Sequence, residues 1–403
     1  MSRMASQRAA SDYDRLRELL VGYPDGLFTE PFYDACELVD RYVLALSSQI
    51  ADELGLEAAL ARPATAEEVA ASRGLQPGFL PALRWLLERL AEAGDAEAQG
   101  NGAARTFHAS RPIAVRDAVS VRAALLANDP RHQPTLRLLD LAAETYPAVA
   151  RGQTSGSDAL FGLGQVALWC EYFHNDNPVY AVNNRVAAFS AANRFTAVAH
   201  PRIVEVGAGA GSATEALLNE LRPRGIEPES YLVTEPSKFF RRRGERALRA
   251  AYPGVQFSFG GLDIDRPWSE QGVAAGSADL VFGVNVLHVA RDLQFSLRQA
   301  RQALAPGGWL VIGEAQRLLP GQPIWAEFVF QLLEGFTNVE TDGELRPTHG
   351  FLQPETWLEA VRHAGFSEVA IEPDVFKIRE IYPRFYTGAV CGRRSLTDHE
   401  VTR

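Results

Sequence analysis

Five short apolar runs in the second half of the chain, "RIVEVG", "SYLVTE", "VQFSF", "ADLVFGV" and "GWLVIGE", are mostly separated by stretches with helical spacing. Strands that alternate with helices pair in parallel, and the helices cover both faces of the sheet. This pattern restricts the chain from about residue 196 onward to an open, parallel α/β sheet. A tail that combines the helix "PETWLEAVRHAG" with "FSEVAIEP" and "FYTGAVCG" adds two strands, for a predicted total of seven.

The first run leads straight into "VEVGAGAGSATE", residues 204–215, with Gly207, Gly209 and Gly211 at alternate positions. In such sheets ligands lie beyond the carboxyl ends of the strands, at the first strand-to-helix turn. Glycine there lets the backbone approach a bulky group that a Cβ would obstruct. A dinucleotide fingerprint would place its third glycine at Ser212. The chain instead reads Glu205-x-Gly207-x-Gly209-x-Gly211, which disfavours a nicotinamide cofactor. No Lys-Ser/Thr pair follows, so a phosphate cradle is disfavoured too. Glu235, at the end of the second run, stands where an acidic side chain accepts hydrogen bonds from ribose hydroxyls.

The first half reads as almost wholly helical. Phe32, Ala35, Val39, Val43, Leu46 and Ile50 recur at helical spacing and form one apolar face. Thr65 and Glu68 make a capping box ahead of a short helix that Gly74 closes. "GFLPALRWLLERLAEAG" reads as another helix, and "AQGNGAARTFHASRP" as a turn between short extended pieces. The predicted division is therefore a winged-helix-like dimerisation or lid module over residues 1–112, a helical lid or linker over 113–195, and the α/β core over 196–403.

The composition narrows the partners. Of 403 residues 46% are apolar, enough for a large core, and the net charge is −10. An acidic chain without a basic recognition helix argues against nucleic acid. Arg241, Arg242 and Arg243 form the one dense basic run and read as a solvated helix face. Cys36, Cys170 and Cys391 lie too far apart for a disulfide framework or local metal ligation. Neither a signal peptide nor an apolar stretch of membrane-spanning length is evident, so a cytoplasmic protein with no metal and no membrane partner is expected.

Glu205-x-Gly207-x-Gly209-x-Gly211, Glu235, "GLDID" and "LAPGGWLVIGE" together resemble the class I S-adenosylmethionine-dependent methyltransferases. Residues 143–366 are similar, more closely still, to the methyltransferase domains of modular polyketide synthases. The likeness is strongest in "LDIDRPWSEQGVAAGSADLVFGVNVLHVARDLQFSLRQARQALAPGGWLVIGE". It implies a seven-stranded Rossmann-like core with S-adenosyl-L-methionine as cofactor. By the same resemblance the three glycines would pass beneath the methionine part, with Glu205 starting that motif. Glu235 would hold the ribose, and Asp263 the adenine amino group with Leu262 beside the ring. Asn285 would lie near the methionine moiety. A catalytic pair is implied at His288 in "LHVA" and Glu314 in "VIGE". The family's motif has Thr where this chain has Ala290, and its paired tryptophans near the tail have no counterpart.

The residue types suit that chemistry. A hydroxyl or an activated carbon must lose a proton before it is methylated, and histidine titrates in the right range. An acid behind it can fix the tautomer and steady the imidazolium. Tyr172, His174 and Tyr180, in "EYFHNDNPVY", and His349, in "RPTHGF", are weaker candidates for the substrate pocket. The leading expectation is methyl transfer to a hydroxyl or enol oxygen of a small polyketide-type molecule, since no carrier region is evident in the chain. Transfer to the carbon of a β-keto intermediate, free or bound to a carrier protein, is the alternative. A non-catalytic regulator that binds S-adenosylmethionine is the alternative of another class, and a homodimer is compatible with each.

Overall fold

A computed structural model describes residues 12–162, 164–195 and 200–397. The predicted boundary at 195/196 runs into residues 196–199, which lie outside the described residues, as do 1–11 at the start of the first predicted module.

Helix α1 (Glu30–Glu53) begins where the Thr29 side chain accepts the Phe32 N–H, and all six residues of its predicted apolar face are buried. Helix α2 (Ala66–Arg73) has the complete Thr65–Glu68 capping box and ends at Gly74 in the left-handed conformation. Helix α3 (Leu80–Glu92) follows. Strands β1 (Ala64–Thr65), β2 (Glu97–Gln99) and β3 (Thr106–His108) form a small antiparallel sheet in the order β1-β3-β2. Three helices and a hairpin are thus present, as the sequence predicts. Helices α4 (Ala118–Asn128), α5 (Gln133–Ala150), α6 (Val166–Tyr172) and α7 (Pro178–Ala192) lead towards the core.

The core sheet has seven strands: β4 (Arg202–Val206), β5 (Ser230–Thr234), β6 (Phe257–Gly260), β7 (Ala278–Val284), β8 (Leu304–Ala315), β9 (Ser367–Glu372) and β10 (Thr387–Arg393). Their order is β6-β5-β4-β7-β8-β10-β9. Helices α8 (Ser212–Leu221), α9 (Lys238–Ala251), α10 (Leu293–Ala303) and α11 (Pro354–His363) pack around it. Strand β7 is buried at all but one position, the pattern of a strand covered on both faces. The five strands β4 to β8 are parallel as expected, and the two strands of the tail complete the predicted seven. Strand β10 runs antiparallel to both β8 and β9. Consecutive antiparallel neighbours join at one end, so the β9–β10 link, with the short helix Val375–Ile381, acts as a wide hairpin and never crosses the sheet.

Strand β4 lies between β5 and β7, so successive connections diverge at its carboxyl end and open a crevice there. The first half packs against that side. One apolar cluster runs without a break from α1 through α7 into the sheet. Buried polar ties reinforce it. The Trp85 indole N–H of α3 donates to Glu327 at 3.0 Å, and the Tyr146 hydroxyl of α5 donates to the Phe328 carbonyl at 2.7 Å. Glu327 has no exposed surface and is neutralised by Arg317 at 2.6 Å. None of the described helices is long and apolar enough to cross a membrane.

Arg317→Ala should therefore leave a buried, uncompensated carboxylate, at a cost of about 3–5 kcal/mol. Urea unfolding monitored by tryptophan fluorescence should register the loss; an unchanged midpoint would mean that Glu327 needs no counter-charge.

Candidate functional site

Strand β7 ends at Asn285, whose φ of 52° is tolerated because asparagine visits the left-handed region more readily than most residues. Its amide oxygen accepts the Ala315 N–H at 2.8 Å, and its own N–H reaches the Gly313 carbonyl at 2.7 Å. The chain then makes a single 3₁₀ turn, Leu287–Val289. Glu314, in the neighbouring strand β8, caps that turn. Its Oε1 accepts the Leu287 N–H at 2.9 Å and those of Val286 and His288 at 3.3 Å. Its Oε2 lies 2.7 Å from His288 Nδ1. Both side chains are buried, and the His288 ring packs on Phe351 with centroids 4.6 Å apart. With the carboxylate ionised, the imidazole carries its proton on Nδ1 and keeps a lone pair on Nε2.

Arg346, from the loop ahead of α11, closes the back of this turn. Its guanidinium donates to the carbonyls of His288 and of Ala290, the latter at 2.8 Å, and only 2% of the residue is exposed. Burial lowers its pKa to about 10, against the pull of Glu314, Asp265, Asp292 and Asp342, so it remains a cation at neutral pH. Nothing in the sequence singled it out, because its partners are main-chain oxygens.

His288 lines a cavity of about 320 Å³ together with Asn285, Tyr172, Tyr180, Phe336 and Tyr386. The remaining wall is mostly apolar and includes Phe161, Phe173, Trp325 and Phe330. Of the weaker sequence candidates, Tyr172 and Tyr180 are therefore at the cavity, supplied by α6 and α7, and burial pushes both phenols well above their usual range. His174 is not. It is exposed, pairs with Asp176 at 3.2 Å and lines a separate cavity of about 180 Å³ beside Gly211 and Arg243. His349 does not line the main cavity either. It sits beside the Phe336 ring and bonds Gln331 at 3.1 Å, its pKa lowered to about 4 by burial and by the nearby arginines.

The glycine turn and its acids lie at the ends of β4 and β5. A Cβ built on Gly209 would meet no atom within 4 Å, so this residue opens on empty space. A Cβ on Gly207 would strike Val286 at 2.4 Å, and one on Gly211 would strike Leu248 at 2.9 Å, so these two glycines serve packing. Glu235 accepts the Gly209 N–H at 2.9 Å and the Ser237 N–H at 2.8 Å, and burial raises its pKa. Arg241 is not a free solvated residue, since it donates to the Glu235 carbonyl at 2.6 Å. Leu262 is buried. Asp263 is exposed, and its N–H donates to Gln271 at 2.8 Å.

Glu205 departs from the group. It has no exposed surface and lines neither cavity; it accepts the hydroxyls of Thr214 at 2.6 Å and Tyr231 at 2.7 Å. Those bonds tie β4 to β5 and to the helix after the glycine turn. Among the described residues, no three His, Cys, Asp or Glu side chains gather as a metal would need.

A family model described as a methyltransferase domain matches residues 204–310. The chain is 33% identical over 304 residues to the polyketide synthase ThaQ of Burkholderia thailandensis, which covers 71% of this chain but only 14% of that protein. Among solved structures, the CurJ carbon methyltransferase is 25% identical, with a TM-score of 0.75 and coverage of 97% of this chain and 98% of that one. The DszA carbon methyltransferase has the same fold, at 24% identity and a TM-score of 0.70, covering 98% of this chain and 97% of that one.

Burial raises the Glu205 pKa from 4.5 to about 7, partly offset by its two hydroxyl donors. The folded protein binds the proton more tightly than the unfolded chain does. The stability this provides is complete below about pH 4.5 and lost as pH rises to about 7, with a slope of at most about 1.4 kcal/mol per pH unit. Glu205→Gln should flatten that part of the curve in urea titrations at several pH values. An identical slope in the variant would show that Glu205 is already ionised at its buried position.

Proposed function

The chain being an S-adenosylmethionine-dependent methyltransferase of the polyketide-synthase type, we propose that it methylates the carbon between the two carbonyls of a β-ketoacyl thioester. The observation that carries this reading is the buried His288–Glu314 pair on the wall of an aromatic cavity beside the strand ends. Carbon is favoured over the oxygen acceptor expected from the sequence, because two of the similar solved structures, CurJ and DszA, are carbon methyltransferases. A carrier protein that presents the thioester belongs to the same proposal. The regulator reading is set aside, since the chain is an enzyme.

The residues at the strand ends fit the cofactor. Gly209 leaves space where a Cβ would intrude, Glu235 brings a carboxylate to the same turn, and Leu262 and Asp263 follow at the end of the next strand. When bound, S-adenosylmethionine supplies a methyl group already activated on a sulfonium. The protein's own work is to form a nucleophile and aim it.

In this reading His288 Nε2 takes the proton from the carbon between the carbonyls, and the electron pair of that C–H bond passes into the enolate. Glu314 accepts the Nδ1 N–H throughout and steadies the imidazolium that forms. Asn285 commits its oxygen to the Ala315 N–H, so the amide NH₂ is the end left to donate. Tyr180 lines the same cavity as Asn285. Donors of this kind would hold the enolate oxygens and leave the carbon as the open nucleophilic end. Helices α6 and α7 supply part of the wall, which supports a lid role for the helical first half.

His288→Ala should lower turnover of an acetoacetyl N-acetylcysteamine thioester by about 10²–10⁴-fold and leave S-adenosylhomocysteine affinity nearly unchanged. Glu314→Gln should cost less, and the double variant little more than His288→Ala alone. Mass spectrometry with NMR of the product reads both rate and position; methylation on oxygen would overturn the carbon assignment, and wild-type turnover by His288→Ala would remove its role as base.

The cradle has its own test. Gly209→Ala, with a methyl directed into the open space, should weaken S-adenosylhomocysteine binding at least about tenfold in calorimetry. The positive φ of 55° adds about 1–2 kcal/mol of backbone strain. Unchanged affinity would move the cofactor away from this turn.

A further inference from the structure

We propose that Arg346 is the positioning residue of the His288–Glu314 pair, holding the His288 turn by two carbonyls and balancing the buried Glu314 charge. The inference rests on the reading of His288 as the base. Three observations support it. The guanidinium bonds the carbonyls on either side of Val289, so its planar fork fixes both ends of one short segment. Glu314 is fully buried with one oxygen turned to three N–H groups, and it is the first of the acids that draw on the Arg346 charge. The Arg346 backbone is itself anchored, because Asp342 Oδ1 accepts its N–H at 3.1 Å and the Asp342 N–H reaches its carbonyl at 2.9 Å.

The two effects act on different observables. A lone buried carboxylate against an imidazole traps a proton there, whereas a nearby cation opposes the imidazolium and keeps the base free. Other charges around Arg346 are Asp265, Asp292 and Asp342, which attract it, and His349, whose proton it repels. Beyond burial, the Glu314 charge also raises the pKa of the Tyr180 phenol. Of these groups Arg346 is the one that also bonds the His288 main chain. The turn-holding effect is geometric: it sets where Nε2 points, so its loss lowers kcat more than it raises KM.

Arg346→Met removes charge and fork together. The acid limb of kcat/KM, measured with the acetoacetyl N-acetylcysteamine thioester, should move up by about one pH unit. The titration midpoint of the His288 imidazole, followed by ¹⁵N NMR, should move with it, so that activity lost at pH 7 returns in part at pH 9. Arg346→Lys keeps the charge but not the double hold. Its acid limb and midpoint should stay within a few tenths of a unit of wild type, and kcat should fall about tenfold with KM within about twofold. Equal loss of activity at every pH in Arg346→Met, with an unmoved imidazole titration, would overturn the proposal in favour of a purely structural arginine. Should Arg346→Met fail to fold, Arg346→Lys decides: wild-type kcat, or a shifted titration, overturns it. The NMR titration reports on Arg346 whether or not His288 is the base, while full turnover by His288→Ala defeats only the catalytic reading.

Discussion

The site depends on one carboxylate. Glu314 is withdrawn completely from water, and an isolated buried charge would be prohibitive. It is tolerated because both oxygens are saturated, one by three main-chain N–H groups and one by the His288 ring. The same bonds that satisfy the charge build the 3₁₀ turn that presents the histidine. Parallel pairing of β7 with β8 sets Val284 beside Gly313, which places the residues after each in reach of one another. At Gly313 the missing side chain also matters, since a Cβ would meet Ala187 of α7 at 2.7 Å. Helix α7 therefore packs closely on the sheet one residue before the carboxylate.

Three buried acids along the strand ends differ in the donors they receive. Glu314 receives main-chain N–H groups and an imidazole next to a buried guanidinium. Glu235 receives two N–H groups near Arg241 and sits at the rim of the crevice. Glu205 receives only two neutral hydroxyls, and its second oxygen has no partner among the described residues. Burial raises its pKa to about 7, and the two hydroxyls offset only part of that rise. An acid one residue ahead of the glycine turn thus serves as a strut between strand and helix, whereas the acid on the next strand braces the turn itself.

The sequence made legible what local physics encodes. Period-2 and period-3.6 patterns gave every core strand, and the capping box of α2 and the buried stripe of α1 are present as read. His288 and Glu314 were found through a resemblance; their 2.7 Å approach comes from strand register, which no local pattern carries. Arg346 escaped notice because main-chain carbonyls leave no mark in a sequence. The Trp85–Glu327–Arg317 tie escaped because Trp85 stands 242 positions from Glu327. The direction of β10 has no local signature, because a covered antiparallel strand is as apolar as a parallel one. His349 looked like a pocket histidine in "RPTHGF", yet Phe336 and Phe351 occupy the wall in its place.

The aromatic lining bears on which atom of an enolate reacts. In water the oxygens of an enolate are solvated freely, and the choice between oxygen and carbon follows the counter-ion and solvent. A wall of Phe161, Phe173, Phe330, Phe336 and Phe351 offers no such solvation. Among the polar groups on that wall, the Asn285 side chain is held by the Ala315 N–H and the Tyr180 phenol is partly buried. Oxygen held by fixed donors is stabilised and crowded, while the carbon faces an apolar surface that does not compete for its charge. In the proposed reading, selectivity for carbon then needs no dedicated residue. It would follow from the base, the fixed polar groups and the largely apolar wall acting together.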